Sequence, residues 1–152
     1  MKTMKEYLST PEGVKQMWDK INEVLDNFDF TKVAATMEVL DWGWACTERE
    51  AEMYEAQGCK TRWRGDDGGW IYYPEYSQLL KQARELMVQC IEDMAKEGKN
   101  EWSISTGGFM IKAYICTDDE RRDYYGSVAD VDDFAHSVDL SLYFIVEEST
   151  SY

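Results

Sequence analysis

The sequence predicts an α+β fold in which three main helices pack on a small antiparallel sheet. Apolar residues recur at helical spacing over residues 11–28, 29–44 and 74–98, which is typical of amphipathic helices. Apolar and polar residues alternate over 109–116 and 138–146, which is typical of half-buried strands. A length of 152 residues suits one domain over 1–152, and we find neither an internal repeat nor a linker.

Local sequence signals mark both ends of the first main helix. Thr10 can cap its N-terminus, Pro11 suits the first helical position, and we expect the helix to end at Asn27. Its predicted apolar stripe is Val14, Met17, Trp18, Ile21, Leu25 and Phe28. The second main helix follows at once, capped by Asp29, with one apolar face formed by Val33, Met37, Leu40 and Trp44.

The segment 45–73 predicts a short helix and a hairpin. Thr47 and Glu50 match a capping box, so we expect a helix over about 48–57 that ends at Gly58. Two β-prone runs then flank the turn-rich residues 65–69, which predicts a small hairpin. The third and longest main helix starts near Pro74 and stops at Gly98.

The C-terminal third predicts a hairpin with a long acidic connection. One strand begins at Phe109 and the other at Val138, and residues 117–137 connect them. Residues 102–104 are predicted to add a short strand at the edge of the sheet. A connection of that length is unusual without structure of its own. We leave open whether it holds a short helix near 130–135 or acts as a binding loop.

The net charge limits the classes of molecule that we expect this chain to bind. With 16 basic and 30 acidic side chains, the net charge is −14, which argues against direct nucleic-acid binding. Residues 117–148 hold ten of the acids and two bases, so this segment is the acidic pole. No apolar window is long enough for a membrane span, and the lysines at the N-terminus precede no apolar run, so we expect no signal peptide.

The reactive side chains favour a protein that is not an enzyme. The four cysteines form no close pair, so we expect no metal, no cofactor and no disulfide, in a reducing cytosol. His136 is the single histidine, and no nucleophile turn accompanies it, so we interpret it as an ordinary loop residue. Carboxylate-only or metal-assisted catalysis is kept as an alternative, because such residues need meet only in the fold.

Four short stretches of the sequence resemble those of a known class of proteins. They are F-x-F-x-x-V-x-x-x-M-x-x-L-x-W-x-W over Phe28–Trp44, Tyr73-Pro74 before a helix with Leu79, Ala83 and Leu86, Ser105–Phe109, and Leu140–Glu148. In this order they resemble small, uncharacterised acidic proteins encoded by tailed phages and prophages. The segments 45–73 and 117–137 depart from that pattern. The resemblance implies a phage or prophage origin and carries no catalytic residue over to this chain.

One locally basic stretch is a candidate ligand site. Guanidinium groups bind phosphate and aromatic rings stack on bases, so a nucleotide-like signal molecule is the ligand class that this composition favours. The candidate residues are Arg62, Trp63, Arg64, Trp70 and Tyr72. The alternative is that the aromatic residues belong to the core and that the arginines pair with Asp66 and Asp67.

The acidic connection is a candidate partner-binding surface, because spaced carboxylates can occupy a basic groove. Its residues are Asp118, Asp119, Glu120, Asp123, Asp130, Asp132 and Asp133, with Trp42 as an additional aromatic contact. The alternatives are a solvated loop, a calcium loop whose pattern lacks its Gly and Glu, and, for Trp42, core packing or a homo-oligomer contact.

Together these features predict a non-enzymatic, cytoplasmic binding protein of phage type that antagonises a host defence factor through protein–protein contact. The first alternative is a protein that binds or sequesters a nucleotide signal, and the second is an uncharacterised enzyme.

Overall fold

The computed structural model describes residues 2–39, 43–45, 47–64, 69–74 and 76–145. Within these ranges, the helices are α1 (Met4–Tyr7), α2 (Pro11–Asp26), α3 (Phe30–Val39), α4 (Glu48–Ala56), α5 (Tyr76–Glu97), α6 (Asp118–Tyr125) and α7 (Phe134–Ser137). The strands are β1 (Gly43–Ala45), β2 (Cys59–Arg64), β3 (Gly69–Pro74), β4 (Glu101–Thr106), β5 (Phe109–Ile115) and β6 (Val138–Phe144). The predicted α+β class is therefore confirmed.

The chain divides into two compact units. The first contains the residues up to Phe28 and those from Ala83 onward, and the second spans Asp29–Gln82. In the first unit, β4, β5 and β6 form an antiparallel sheet in that order. The alternation predicted for β5 is confirmed, because Phe109, Ile111, Ala113 and Ile115 are all buried.

Helix α2 has the predicted bounds. Thr10 accepts a hydrogen bond from the Gly13 amide, Pro11 is the first helical residue and Asn27 is the C-cap. Its buried residues include Met17, Ile21 and Leu25. The predicted stripe is too wide, however, because Val14 and Trp18 are 37% and 39% exposed.

The acidic connection contains a helix that the sequence reading missed. Helix α6 begins at a complete capping box, in which Thr117 and Glu120 satisfy each other's backbone amides, and it ends at Gly126 in a left-handed conformation. The short α7 lies close to the helix expected near 130–135, and Asp133 caps it. Four of the seven acids proposed for a binding loop therefore lie on a helix.

The second unit holds the predicted hairpin in a larger sheet. Strands β2 and β3 pair antiparallel, and β1 pairs with the other edge of β3. The prediction that the second main helix reaches Trp44 is wrong, because α3 ends at Val39 and Trp44 lies opposite Ile71 in the sheet. A helix cannot continue there because the backbone of 43–45 is used in strand pairing.

The remaining helical predictions agree with the structure. Helix α4 is capped by Thr47, as its capping-box pattern indicates. Helix α5 is the longest and ends before Gly98, which has a positive φ of 65°. Among the helices in the described ranges, none is both long enough and apolar enough to cross a bilayer.

Candidate binding surface around helix α6

A buried arginine fixes helix α6 in the first unit. The Arg121 side chain is 1% exposed. Its Nη1 donates to the Tyr7 hydroxyl at 3.1 Å, to Asp132 Oδ1 at 3.0 Å and to Ser137 Oγ at 2.9 Å, while Nη2 donates to Asp118. One guanidinium therefore ties α6 to α1, to the segment before α7 and to α7 itself.

The partners of Arg121 also bond to one another. The Tyr7 hydroxyl donates to Asp132 Oδ1 at 2.9 Å, and Ser137 Oγ donates to the Val131 carbonyl at 3.2 Å. Burial is the main cause that raises the pKa of Tyr7, so its hydroxyl keeps the proton that it donates. A buried charge is tolerated only when it is paired and hydrogen-bonded. The network pairs the charge and gives acceptors to both Nη1 and Nη2, while Nε is buried with no hydrogen-bond partner among the described residues.

The predicted acids divide into structural and exposed groups. Asp118 and Asp132 neutralise Arg121, Glu120 completes the capping box of α6, and Asp133 caps α7. The other three predicted acids, Asp119, Asp123 and Asp130, are exposed. Most of the carboxylates singled out by the sequence thus hold the segment together, and fewer of them are free to contact a partner.

The outer side of α6 displays aromatic rings beside these exposed acids. Tyr124 is 81% exposed and Tyr125 is 43% exposed. The two rings contact each other edge to face, with centroids 4.7 Å apart. Asp119 is paired with Arg122 at 2.8 Å, and both side chains are exposed. We call the residues Asp119, Asp123, Tyr124 and Tyr125 the α6 surface.

A cleft of about 370 Å³ lies beside the α6 surface, in the same unit. Its lining combines charged, aromatic and sulfur-containing side chains: Lys20, Cys116, Glu120, Arg121, Tyr124, Tyr125, Ala135, His136, Val138 and Asp139. Lys20 Nζ is held by two main-chain carbonyls, those of Ala135 at 2.7 Å and Val138 at 2.6 Å. Sequence reasoning missed this cleft because α2, α6, α7 and β6 contribute to it from distant parts of the chain.

Cys116 and His136 line the same cleft, but their arrangement does not resemble that of a catalytic pair. The nearest partner of the imidazole is Asp133, with Nδ1 and Oδ1 2.5 Å apart, and no hydrogen bond in the described part of the chain joins it to Cys116. Burial raises the pKa of the Cys116 thiol, and Asp139 raises it further. A cysteine nucleophile instead needs a neighbouring base and a lowered pKa.

The Asp133–His136 contact stabilises the start of α7. Partial burial acts to raise the pKa of Asp133, but hydrogen bonds from the His136 ring and amide and from Gln16 outweigh it, so the pKa is lowered. The Tyr125 ring meets the imidazole edge to face at 5.1 Å. His136 therefore connects the cap of α7 to the aromatic rim of the cleft, which its loop assignment did not anticipate.

The structure only partly assembles the predicted ligand site. Trp63 and Trp70 lie opposite each other on β2 and β3 with ring centroids 5.2 Å apart, and Trp63 is 53% exposed. Arg62 precedes Trp63 in a regular strand, so strand alternation places it on the opposite face. The backbones of Arg64 and Tyr72 pair with Gly69 and Thr61.

Some of the predicted features involve residues that the structure does not describe. Trp42, Cys46 and the hairpin turn at 65–68 lie outside the described residues. Among the described cysteines, Cys90 and Cys116 are free thiols. Within the described ranges, no group of three or more His, Cys, Asp or Glu side chains is placed to hold a metal ion.

Comparison with known proteins identifies no relative from which a function could be transferred. A scan against protein-family models, a search of curated proteins and a search of solved structures each gave no match to this chain. A functional proposal therefore depends on the chemistry of the described surfaces.

Proposed function

We propose that this chain is a non-enzymatic binding protein that contacts a basic surface of a partner protein through the α6 surface. The resemblance to phage and prophage proteins makes a host protein in the host cytosol the expected partner, and antagonism of a host defence factor the expected outcome.

The observation that carries this proposal is the display of Tyr124 and Tyr125 among acids on a helix anchored by Arg121. Tyrosine is enriched in binding hot spots because its ring gives a large contact area and its hydroxyl can still hydrogen-bond. An 81% exposed tyrosine contributes little to the packing of the chain that carries it. A buried hydrogen-bond network limits the motion of α6, which lowers the entropy cost of binding.

Charge supports the same partner class. A net charge of −14 attracts a basic surface over long range and raises the association rate at low salt. Exposed charges such as Asp119 and Asp123 act mainly on this encounter, whereas the tyrosines contribute contact area. We therefore expect an association rate that falls with ionic strength and a dissociation rate that depends on Tyr124.

Affinity capture from a bacterial host lysate at low salt, followed by mass spectrometry, tests the proposal. The wild-type chain is expected to recover a basic protein, and Tyr124→Ala is expected to weaken that binding by about tenfold or more. Tyr143→Ala is the matched control, because Tyr143 is also exposed, at 45%, but lies on β6 outside the α6 surface. Failure to recover a partner, or equal effects of the two substitutions, would count against the proposal.

A second candidate function is nucleotide binding by the β2–β3 hairpin. The exposed Trp63 ring beside Trp70 favours it, because stacking on a base needs an accessible aromatic face. The opposite placement of Arg62 leaves no shared face on which it could add a phosphate contact to this pair. Titration of nucleotides against tryptophan fluorescence, with Trp63→Leu as the variant, tests this candidate, and an unchanged spectrum would dismiss it.

A further inference from the structure

The cleft beside α6 contains carboxylate oxygens that accept no hydrogen bond from the part of the chain that the structure describes. Glu120 Oε1 accepts hydrogen bonds from the Tyr114 hydroxyl and from the Thr117 amide and hydroxyl. Among the described residues, neither Glu120 Oε2 nor the Asp139 carboxylate accepts a hydrogen bond, and both residues line the cleft. These oxygens are available to a donor from outside the chain.

The cations at the cleft are already engaged. The Arg121 guanidinium is neutralised by Asp118 and Asp132, and Lys20 Nζ is bound to two carbonyls in the cleft wall. Five carboxylates line the cleft or contact its lining residues, against two cations, so the surroundings of the cleft carry a net negative charge; the acids are Asp118, Glu120, Asp132, Asp133 and Asp139, and the bases are Lys20 and Arg121. Burial is the largest cause that raises the pKa of the Tyr125 hydroxyl. Charge interactions with the neighbouring side chains raise this pKa further; they are Tyr124, Cys116, Asp139 and Asp133.

Aromatic rings complete a site that can bind a cation. Tyr124, Tyr125 and His136 follow one another edge to face, with centroid separations of 4.7 and 5.1 Å, and all three line the cleft. The face of an aromatic ring attracts a cation, and a guanidinium stacks on it while its N–H groups reach a carboxylate. A volume of about 370 Å³ is in the range of small-ligand pockets, so it can receive a single side chain.

From this juxtaposition of free carboxylate oxygens, aromatic rings and cations that already have acceptors, we infer that the cleft is a receptor for an arginine side chain of the partner protein. This inference rests on the proposed function, because it names the group of the basic partner that enters the site. The guanidinium lies against the tyrosine rings and donates to Asp139 and Glu120.

N-acetyl-arginine amide is the probe for this inference, and the neutral N-acetyl-citrulline amide is its matched control. The two have nearly the same shape, but citrulline has a neutral carbonyl oxygen where arginine has a charged N–H donor, so a difference between them reports the cationic donor group. In ¹H–¹⁵N NMR spectra, the arginine probe is expected to shift amide signals of α6, α7 and the start of β6 with a dissociation constant in the millimolar range, and the citrulline probe is not.

Two variants localise the effect. Asp139→Asn is expected to weaken binding of the arginine probe by about tenfold, because it removes a charged acceptor. Tyr125→Leu is expected to weaken it severalfold through loss of the ring. Glu92→Gln, which removes an exposed carboxylate on α5 outside the cleft, is expected to leave it unchanged. Comparison of each variant's spectrum with that of the wild type shows whether the variant is folded.

The outcomes separate this inference from the proposed function. Equal shifts with arginine and citrulline, no response at about 50 mM probe, or an unchanged Asp139→Asn variant would overturn the arginine site, even if partner capture through Tyr124 succeeded. Arginine-specific shifts without any captured partner would support the site and refute only the proposed protein–protein function.

Discussion

Replacement of Arg121 by methionine is the sharpest test of how the acidic segment is held together. The substitution keeps an unbranched apolar stem but removes the guanidinium. It leaves Asp118 and Asp132 without their cation, and Tyr7 and Ser137 without a donor. Breaking a buried ion pair by removing one partner costs about 3–5 kcal/mol. Because the two carboxylates are 45% and 29% exposed, water offsets part of this cost, and we expect about 3 kcal/mol.

The next residue is a natural control. Arg122 pairs with Asp119, but these side chains are 57% and 87% exposed, so Arg122→Met is expected to cost less than about 0.5 kcal/mol. Urea unfolding followed by circular dichroism gives the free energy of unfolding. Hydrogen exchange of the peptide 117–137 reports the local effect. For a chain of this length, the Arg121→Met cost corresponds to a lowering of Tm by roughly 6–12 °C.

A double variant tests whether uncompensated charge causes the loss of stability in Arg121→Met. If uncompensated charge is the main penalty, adding Asp132→Asn to Arg121→Met is expected to recover about 1 kcal/mol. An Arg121→Met variant within about 1 kcal/mol of wild type, or equal to Arg122→Met, would refute the reasoning. So would a double variant that is less stable than the single one.

Three further substitutions test local features of the fold. Gly13→Ala is expected to cost at least about 2 kcal/mol in urea unfolding, because its Cβ would lie 1.7 Å from the Tyr7 carbonyl oxygen. Gly126→Ala is expected to cost about 1 kcal/mol, because open space surrounds it but its φ is +77°. Glu120→Gln is expected to lower the pKa of Tyr114 from about 12 toward its ordinary value near 10, measured by NMR of the ring during a pH titration, because the hydrogen bond to the carboxylate is the main cause of the raised value.

Each of these predictions has a contradicting result. Alanine normally stabilises a helix relative to glycine, so a stabilising Gly13→Ala would show that α1 and α2 do not approach closely. A Gly126→Asn variant no more stable than Gly126→Ala would argue against the left-handed cap, since asparagine tolerates that conformation. An unchanged Tyr114 titration in Glu120→Gln would show that the carboxylate is not its partner.

The elements read correctly from the sequence are those specified by neighbouring residues. Thr10, Pro11 and Asn27 bound α2 because capping depends on the nearest amides and carbonyls. The alternation in β5 predicted its buried face because strand geometry alone places successive side chains on opposite sides. Strand β1 was missed because its pairing with β3 is non-local, and Trp44 also fits a helical spacing.

Helix α6 shows a different kind of failure. Its capping box, Thr117 to Glu120, has the same pattern as the one at Thr47 that predicted α4. No apolar stripe accompanies this pattern in α6, because the one side chain that the helix buries is that of Arg121. The capping box is therefore the signal in the sequence that indicates α6.

Local patterns in the sequence were enough to place the start of most helices and strands and to locate the acidic pole. Which of two adjacent arginines is buried depends instead on how the elements pack. Arg121 and Arg122 are chemically identical, but a helix turns about 100° per residue, so one points at α1 and α7 while the other points to solvent. That orientation, and the cleft beside it, depend on residues more than 100 positions apart, which no local pattern encodes.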